Sequence, residues 1–321
     1  MKAIIRGLVV VALFSAGQAA AQGYPNRPIK IIVTSPAGQS VDVVARVVNQ
    51  PMSQSLGQPI IVENRPGAGG AIGISALIGS AADGYTLLIG SSGPLSILPH
   101  LQKVPFDSQK SFTPISLLAT LQYVLVTLPS FPAASPKELV ALVKASPGKY
   151  NFGASGSGTT QHLAAELFKL RGGLDAVFIP YAGSTATLAE VMGGRIDYAF
   201  ETMATALPLI QAGRLKALGV TSLTRSTKLP DVPTIAESTG LADFNVVAWI
   251  GLLAPAGTPA EASSRLSAEV QKALQANDVR ERFVTLGMDP VSSTPAELAR
   301  VMQEASERFG DIIRRANVKL E

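Results

Sequence analysis

Short apolar runs read as buried strands at Ile29 to Thr34, Pro59 to Val62 and Thr86 to Ile89. Between them, Val41 to Leu56 carries apolar residues at helical spacing and stops at Gly57, and Ile72 to Ile78 predicts a shorter helix before the turn Asp83-Gly84. The order is strand, helix, strand, helix, strand. The same alternation returns with strands at Leu121 to Leu128, Asn151 to Gly153, Ala176 to Pro180 and Ile196 to Phe200. Helices are predicted between them at Ser135 to Ala145, Thr160 to Leu170 and Thr185 to Met192, with another ending near Ala212-Gly213. Such alternation predicts an α/β fold of parallel sheets covered on both faces. Beyond Ala262 the chain is largely helical and charged, at Ser263 to Gln275 and Pro295 to Arg315. The stretch Leu229 to Pro233 reads equally as a linker or as a packed surface loop, because X-Pro pairs enforce extended backbone. Trp249 sits in an apolar, strand-like run and is expected in the core or at a hinge.

Composition narrows the classes. With 321 residues, 47% apolar and 16% charged, the chain is long enough for two globular units and too apolar for disorder. Absence of cysteine removes disulfide scaffolds, thiolate metal sites and cysteine nucleophiles, and two histidines, His100 and His162, do not make a histidine-rich metal site. No cofactor is expected. The first residues have a basic start, an apolar run from Leu8 to Phe14 and small residues ending at Ala21, the order of parts in a secretory signal peptide cleaved after Ala21. The run is about half of what a bilayer requires. Removing Lys2 and Arg6 with the peptide leaves 25 basic residues against 23 acidic, a net +2 instead of +4, so the basicity asks for no nucleic acid. A soluble exported protein without disulfides suits the periplasm.

Two segments share one design: a strand, a loop of small residues, then a helix. Ser35-Pro36-Ala37-Gly38-Gln39-Ser40 leads into the helix bearing Asp42 and Arg46, and Ser155-Gly156-Ser157-Gly158-Thr159-Thr160 leads into the helix bearing His162. Helix N-termini carry unpaired N–H groups and partial positive charge, so small residues there let an anion approach the backbone. In open parallel sheets ligands sit beyond the carboxyl ends of strands, where both loops fall. Ser40, Asp42, Thr159 and Thr160 read equally well as ordinary helix caps. The glycines from Gly67 to Gly73 are spaced G-x-G-x-x-x-G, a weak match to a dinucleotide fingerprint, and no P-loop follows any of them. Ser155 or Ser157 with His162 sketches an exported serine hydrolase, but no carboxylate orienter is evident and G-x-S-x-G is absent.

Tyr24-Pro25, Arg27-Pro28-Ile29, the Gly38 to Asp42 loop, Arg46, Leu56-Gly57-Gln58, Val62 to Gly70 and Asp83 to Thr86 together resemble the Bug family. These are the extracytoplasmic substrate-binding receptors of tripartite tricarboxylate transporters. Ser155 to Gly158 with His162, Pro180 to Gly183, Leu229 to Thr234 with Glu237, and Trp249 through Pro259 continue the resemblance across essentially the whole mature chain. It implies a periplasmic-binding-protein fold of two α/β lobes closing on a small carboxylate. The expected lobes are 22–123 with 225–321, and 124–224. The loops at Ser35 to Ser40 and Ser155 to Thr160 are expected to hold the ligand's carboxylate from opposite lobes, with Ser91, Ser92, Tyr181 and Glu201 completing the pocket. The family usually has Gly-Gly where this chain has Gly38-Gln39, and a side chain there narrows the cradle or adds an amide contact. Glu201, after the strand Ile196 to Phe200, is placed at the ligand's distal end, where an acid favours an amine, a hydroxyl or a neutral group. The implied partners are a small organic acid and a membrane permease, with the receptor a monomer that catalyses nothing. A ligand sensor signalling to a membrane protein shares the same cleft and differs in its partner.

Overall fold

The computed structural model describes residues 23–320, and the expected signal peptide lies outside them. Strand β1 (Ile29–Val33), helix α1 (Ser40–Leu56), β2 (Ile60–Asn64), α2 (Ala71–Ile78) and β3 (Thr86–Ser91) form a parallel unit in which β1 pairs with both β2 and β3. After a turn at Gly93–Ile97 and the short α3 (Leu98–Leu101), the chain enters β4 (Phe112–Thr127). Then follow α4 (Pro136–Lys144), β5 (Tyr150–Ala154), α5 (Thr160–Gly172), β6 (Ala176–Pro180), α6 (Ser184–Met192), β7 (Tyr198–Thr202), α7 (Met203–Gln211) and β8 (Lys216–Val220). The rest comprises α8 (Ile235–Thr239), β9 (Val247–Pro255), α9 (Ala260–Gln275), α10 (Asn277–Thr285), the two-residue β10 (Asp289–Pro290) and α11 (Pro295–Ala316).

The sheet is mixed: the expected parallel pairing holds for β1–β3 and for β5 with β6 and β7, and antiparallel strands join these units. β9 lies antiparallel between β3 and β4, and β4 is antiparallel to β7 and β8, while β5 pairs in parallel with β6 and β7. The two ends of β4 have different neighbours. Phe112 to Gln122 pairs with β9, and Tyr123 to Thr127 pairs with β7 on one edge and, mostly, with β8 on the other. One strand thus belongs to both halves of the molecule.

Apolar burial follows this division. Ile29, Ile31, Val44, Val48 and Met52 pack with Leu266 and Val270 of α9 on the β1–β3 side. Val124, Leu188, Val191 and Met203 form a separate core under α6 and α7. A third cluster joins Leu163 and Phe168 of α5 to Trp249 of β9 and to Phe309 and Ile312 of α11, so α11 ties the halves together. Each such side chain stabilises the packing by roughly 1.5–3 kcal/mol. Helix α11 starts where its sequence dictates. Thr294 caps Glu297 N–H, Glu297 answers at the Thr294 backbone, and Pro295 takes the first turn. The Pro-rich stretch is packed: Leu229 and Val232 lie against the core under α6 and α7, Val220 N–H donates to Pro233, and α8 rests on α4.

Candidate functional site

The loop between β1 and α1 is built around Asp42. Gly38 adopts φ +83°, which glycine tolerates and other residues resist, and this turns its N–H onto Asp42 Oδ2 at 2.8 Å. Arg46 Nε donates to both carboxylate oxygens at 3.1 and 3.0 Å, and Asn64 Nδ2 bridges Asp42 Oδ1 at 2.8 Å and the Ser35 carbonyl at 3.0 Å. Burial pushes the Asp42 pKa up, but Arg46, the Gly38 N–H and the Asn64 amide outweigh it, so the carboxyl is held below its usual range. Asp42 is thus occupied as a brace for the loop. Ala37, Gly38, Gln39 and Ser40 are exposed above it. Gln39 caps α1 with extended backbone (φ −79°, ψ 162°) and no side-chain hydrogen bond, a conformation that does not require glycine. Ala37, Gly38 and Arg46 line one wall of an open groove of about 580 Å³, with Asp278 and Arg282 of α10 on the other.

The loop between β5 and α5 repeats the plan with different side chains. Gly158, at φ +74°, donates its N–H to His162 Nδ1 at 3.1 Å, again four residues on. Thr159 caps α5, accepting from His162 N–H at 3.3 Å and donating to the Gly156 carbonyl at 2.9 Å. The imidazole stacks on Phe178 of β6 at 3.8 Å between centroids, and its Nε2 lies 3.8 Å from Glu166. Nδ1 is therefore taken by the backbone, and among the described residues no serine hydroxyl hydrogen-bonds the ring, so the arrangement is not that of an activated serine. This loop is half-buried. A methyl added at Gly158 would come within 2.6 Å of Leu101 Cδ1 and 3.1 Å of Leu320 Cδ2. Ser157, His162, Glu166 and Phe178 face residues 316–319 across a hollow of about 270 Å³.

The segment from Gly93 to Leu101 runs between the two loops. Pro94 and Thr34 both crowd Gly70, close to where β1 ends, and Leu101 covers Gly158. Ser92 is buried with its hydroxyl accepting the Trp249 N–H at 2.8 Å, and Ser96 accepts from the Trp249 indole at 3.3 Å. Ser92 thus props β9 from behind, while Ser91 is partly exposed at the end of β3. Trp249 itself is core. Tyr181 is half-buried at the end of β6, its N–H bound to the Ala154 carbonyl.

Glu201 is completely buried at the end of β7. Gln161 of α5, Ser184 of α6, Thr205 of α7 and the Thr202 backbone surround its carboxyl, yet neither oxygen has a hydrogen bond of acceptable geometry. Burial pushes its pKa up to about 7 against the pull of those donors. Tyr123 of β4, buried and facing both Thr160 and Glu201, is raised to about 12, chiefly by burial. Sequence reading proposed Glu201 but missed Tyr123, Gln161, Ser184, Thr205 and the bracing role of Asn64. Asn64, Gln161, Ser184 and Thr205 share one signal, a polar residue at a strand end or in a helix first turn, whereas Tyr123 lies inside β4 and carries none.

Residues 44–318 match the family described as "Tripartite tricarboxylate transporter family receptor". The chain belongs to that family. It is 39% identical to the protein BugT of Bordetella pertussis over 323 residues, covering 98% of this chain and 99% of the relative. Among solved structures it is similar to an R. palustris protein with adipate, at 28% identity and TM-score 0.77, covering 93% of this chain and all of the other. It is likewise similar to MatC from Rhodopseudomonas palustris with bound malate, at 32% identity and TM-score 0.73, covering 90% of this chain and all of the other. The fold of this receptor is that of the periplasmic binding proteins, and its relatives are solute-binding receptors, not enzymes.

Proposed function

We propose that this receptor captures a small organic acid in the periplasm between the loops at 35–40 and 155–160, and delivers it to a membrane permease of the tripartite tricarboxylate type. The observation that carries the reading is the repeated construction of the two loops. Each turns a positive-φ glycine at a helix N-terminus and fixes it through a side chain four residues on, so first-turn N–H groups are held ready for an anion. Adipate and malate in the related structures support a carboxylate ligand. The protein works as a monomer after cleavage behind Ala21. Its lobes divide where β4 changes partners near Tyr123, in keeping with the expected 123/124 boundary, and we shift the return crossing from the expected 224/225 to between α8 and β9, because α8 packs on α4. Closure requires a ligand that touches both lobes, since only differential affinity shifts an open–closed equilibrium.

The test is a thermal-shift screen of dicarboxylates, tricarboxylates, aromatic acids and amino acids, followed by calorimetric titration of the hits. A ligand at a hundred times its Kd adds about 2.7 kcal/mol to stability. A folded, ligand-stripped preparation that binds none of them overturns the reading.

A further inference from the structure

Among the described residues, Glu201 stands apart from the other acids. Its side chain is fully buried, both oxygens are without a hydrogen bond, and no cation neutralises it among the groups that surround it. Three helices, α5, α6 and α7, direct their N-terminal turns at it through Gln161, Ser184 and Thr205. Those donors are neutral. Ser184 is half-buried and Thr205 exposed, so although the Glu201 oxygens are themselves covered, the donors around them reach the surface. It begins one residue from Thr160, which ends the loop proposed to hold the ligand's carboxylate. The titratable side chain facing Glu201 is the Tyr123 phenol; Gln161, Ser184, Thr205 and the Thr202 N–H, which face it from the other elements, do not titrate. An ionised acid buried among neutral groups, with neither a well-formed hydrogen bond nor a counter-charge, is costly until something supplies one.

We propose that Glu201 is the specificity-determining acceptor of this receptor: it takes a hydrogen-bond-donating group at the far end of the ligand, an ammonium before a hydroxyl, and disfavours a second ionised carboxylate. The proposal rests on the carboxylate-receptor reading above and adds the chemical class of the ligand's other end. An ammonium stabilises ionised Glu201, so its binding releases protons near pH 7 and weakens as pH falls. A second carboxylate needs Glu201 protonated, so its binding takes protons up and strengthens as pH falls.

The experiment compares succinate, 4-hydroxybutyrate and 4-aminobutyrate, and their five- and six-carbon homologues, against the wild-type protein and E201Q. Titration calorimetry from pH 6 to 8 in two buffers of different ionisation heat yields affinity and proton count together. At pH 8 the wild type is expected to bind the amino member at least tenfold more tightly than the dicarboxylate of equal length, with E201Q cutting that preference to less than threefold. The same order of affinities in both proteins, or no proton exchange near pH 7 with either class, overturns the role of Glu201. If E201Q does not fold, the proton count on the wild type alone decides. If no member of any series binds either protein, the receptor reading itself fails, a result distinct from binding without discrimination.

Discussion

Asp42 and Glu201 are both buried carboxyl groups beside helix N-termini, one in each half of the molecule, at 1% and 0% exposure, and they are accommodated in opposite ways. Asp42 receives the Gly38 N–H, the Arg46 guanidinium and the Asn64 amide, and its pKa falls. Glu201 receives no well-formed bond and its pKa climbs to about 7. The contrast separates scaffolding from recognition. An acid whose lone pairs are all taken can only hold a loop in shape, whereas one left unsatisfied retains capacity for something that arrives later. Position near a helix start does not distinguish the two; the partner list does.

The largest expected effect tests the scaffolding side. Replacing Asp42 by Ala removes the one buried acceptor shared by the Gly38 N–H, the Arg46 guanidinium and the Asn64 amide, and should cost about 3 kcal/mol in chemical denaturation. His162→Ala removes one hydrogen bond and a stacked ring at the matching position and should cost about 1–2 kcal/mol. Equal losses would break the comparison.

Acid and base should divide the two carboxyls. Glu201, with its folded pKa above the unfolded value, binds more protons in the native state, so its contribution to stability is present at low pH and lost as pH rises from about 4.5 to about 7, by roughly 3 kcal/mol. Asp42 has the opposite sign: its contribution is present above the ordinary carboxylate range and lost as pH falls through it. Unfolding followed against pH should show E201Q gaining on the wild type at pH 8 and matching it near pH 4. A constant difference at all pH values would contradict the assignment of charge.

The smallest effect sharpens the comparison of the loops themselves. Gly38→Ala meets nothing within 4 Å and should cost about 1 kcal/mol from its backbone angle alone. Gly158→Ala carries the same penalty and also displaces Leu101 and Leu320, and should cost about 2 kcal/mol. If melting of the two variants coincides, the second loop is less tightly covered than its contacts indicate.

The parallel units were legible in sequence because each strand is short, apolar and followed at once by its helix: the span Ala176 to Pro180 matches β6, and α1, α5 and α11 start within a residue of expectation. Elements defined by distant partners were not. Phe112 to Leu118 reads poorly as strand with Pro114 and Ser116 in it, and it is a strand because β9 pairs with it from far along the chain. Helix α10 fell within the broadly helical final third but was not delimited, because Asn277 to Thr285 is mostly polar and buries only Val279 and Phe283. At the site, local glycine loops could be read directly. The Glu201 surroundings could not, since Tyr123, Gln161, Ser184 and Thr205 come from four elements and have nothing to announce them but single polar letters. Ser92 was picked out for its position, yet its hydroxyl is turned onto Trp249.

The placement of β9 between β3 and β4 also sets an order of events during synthesis. Residues 124–220 contain nearly all the strand pairing of their own half and can form it as they emerge, with α5 left to complete its packing on Trp249 and α11, whereas in the first half Leu88 waits for Leu253 and Phe112 for Pro255 even to pair. The half made first is completed last. Until the strand around Trp249 arrives, the inner edge of β3 is an unpaired ladder of the kind that invites mispairing, so this is the segment a chaperone engaging the nascent chain would have most reason to cover.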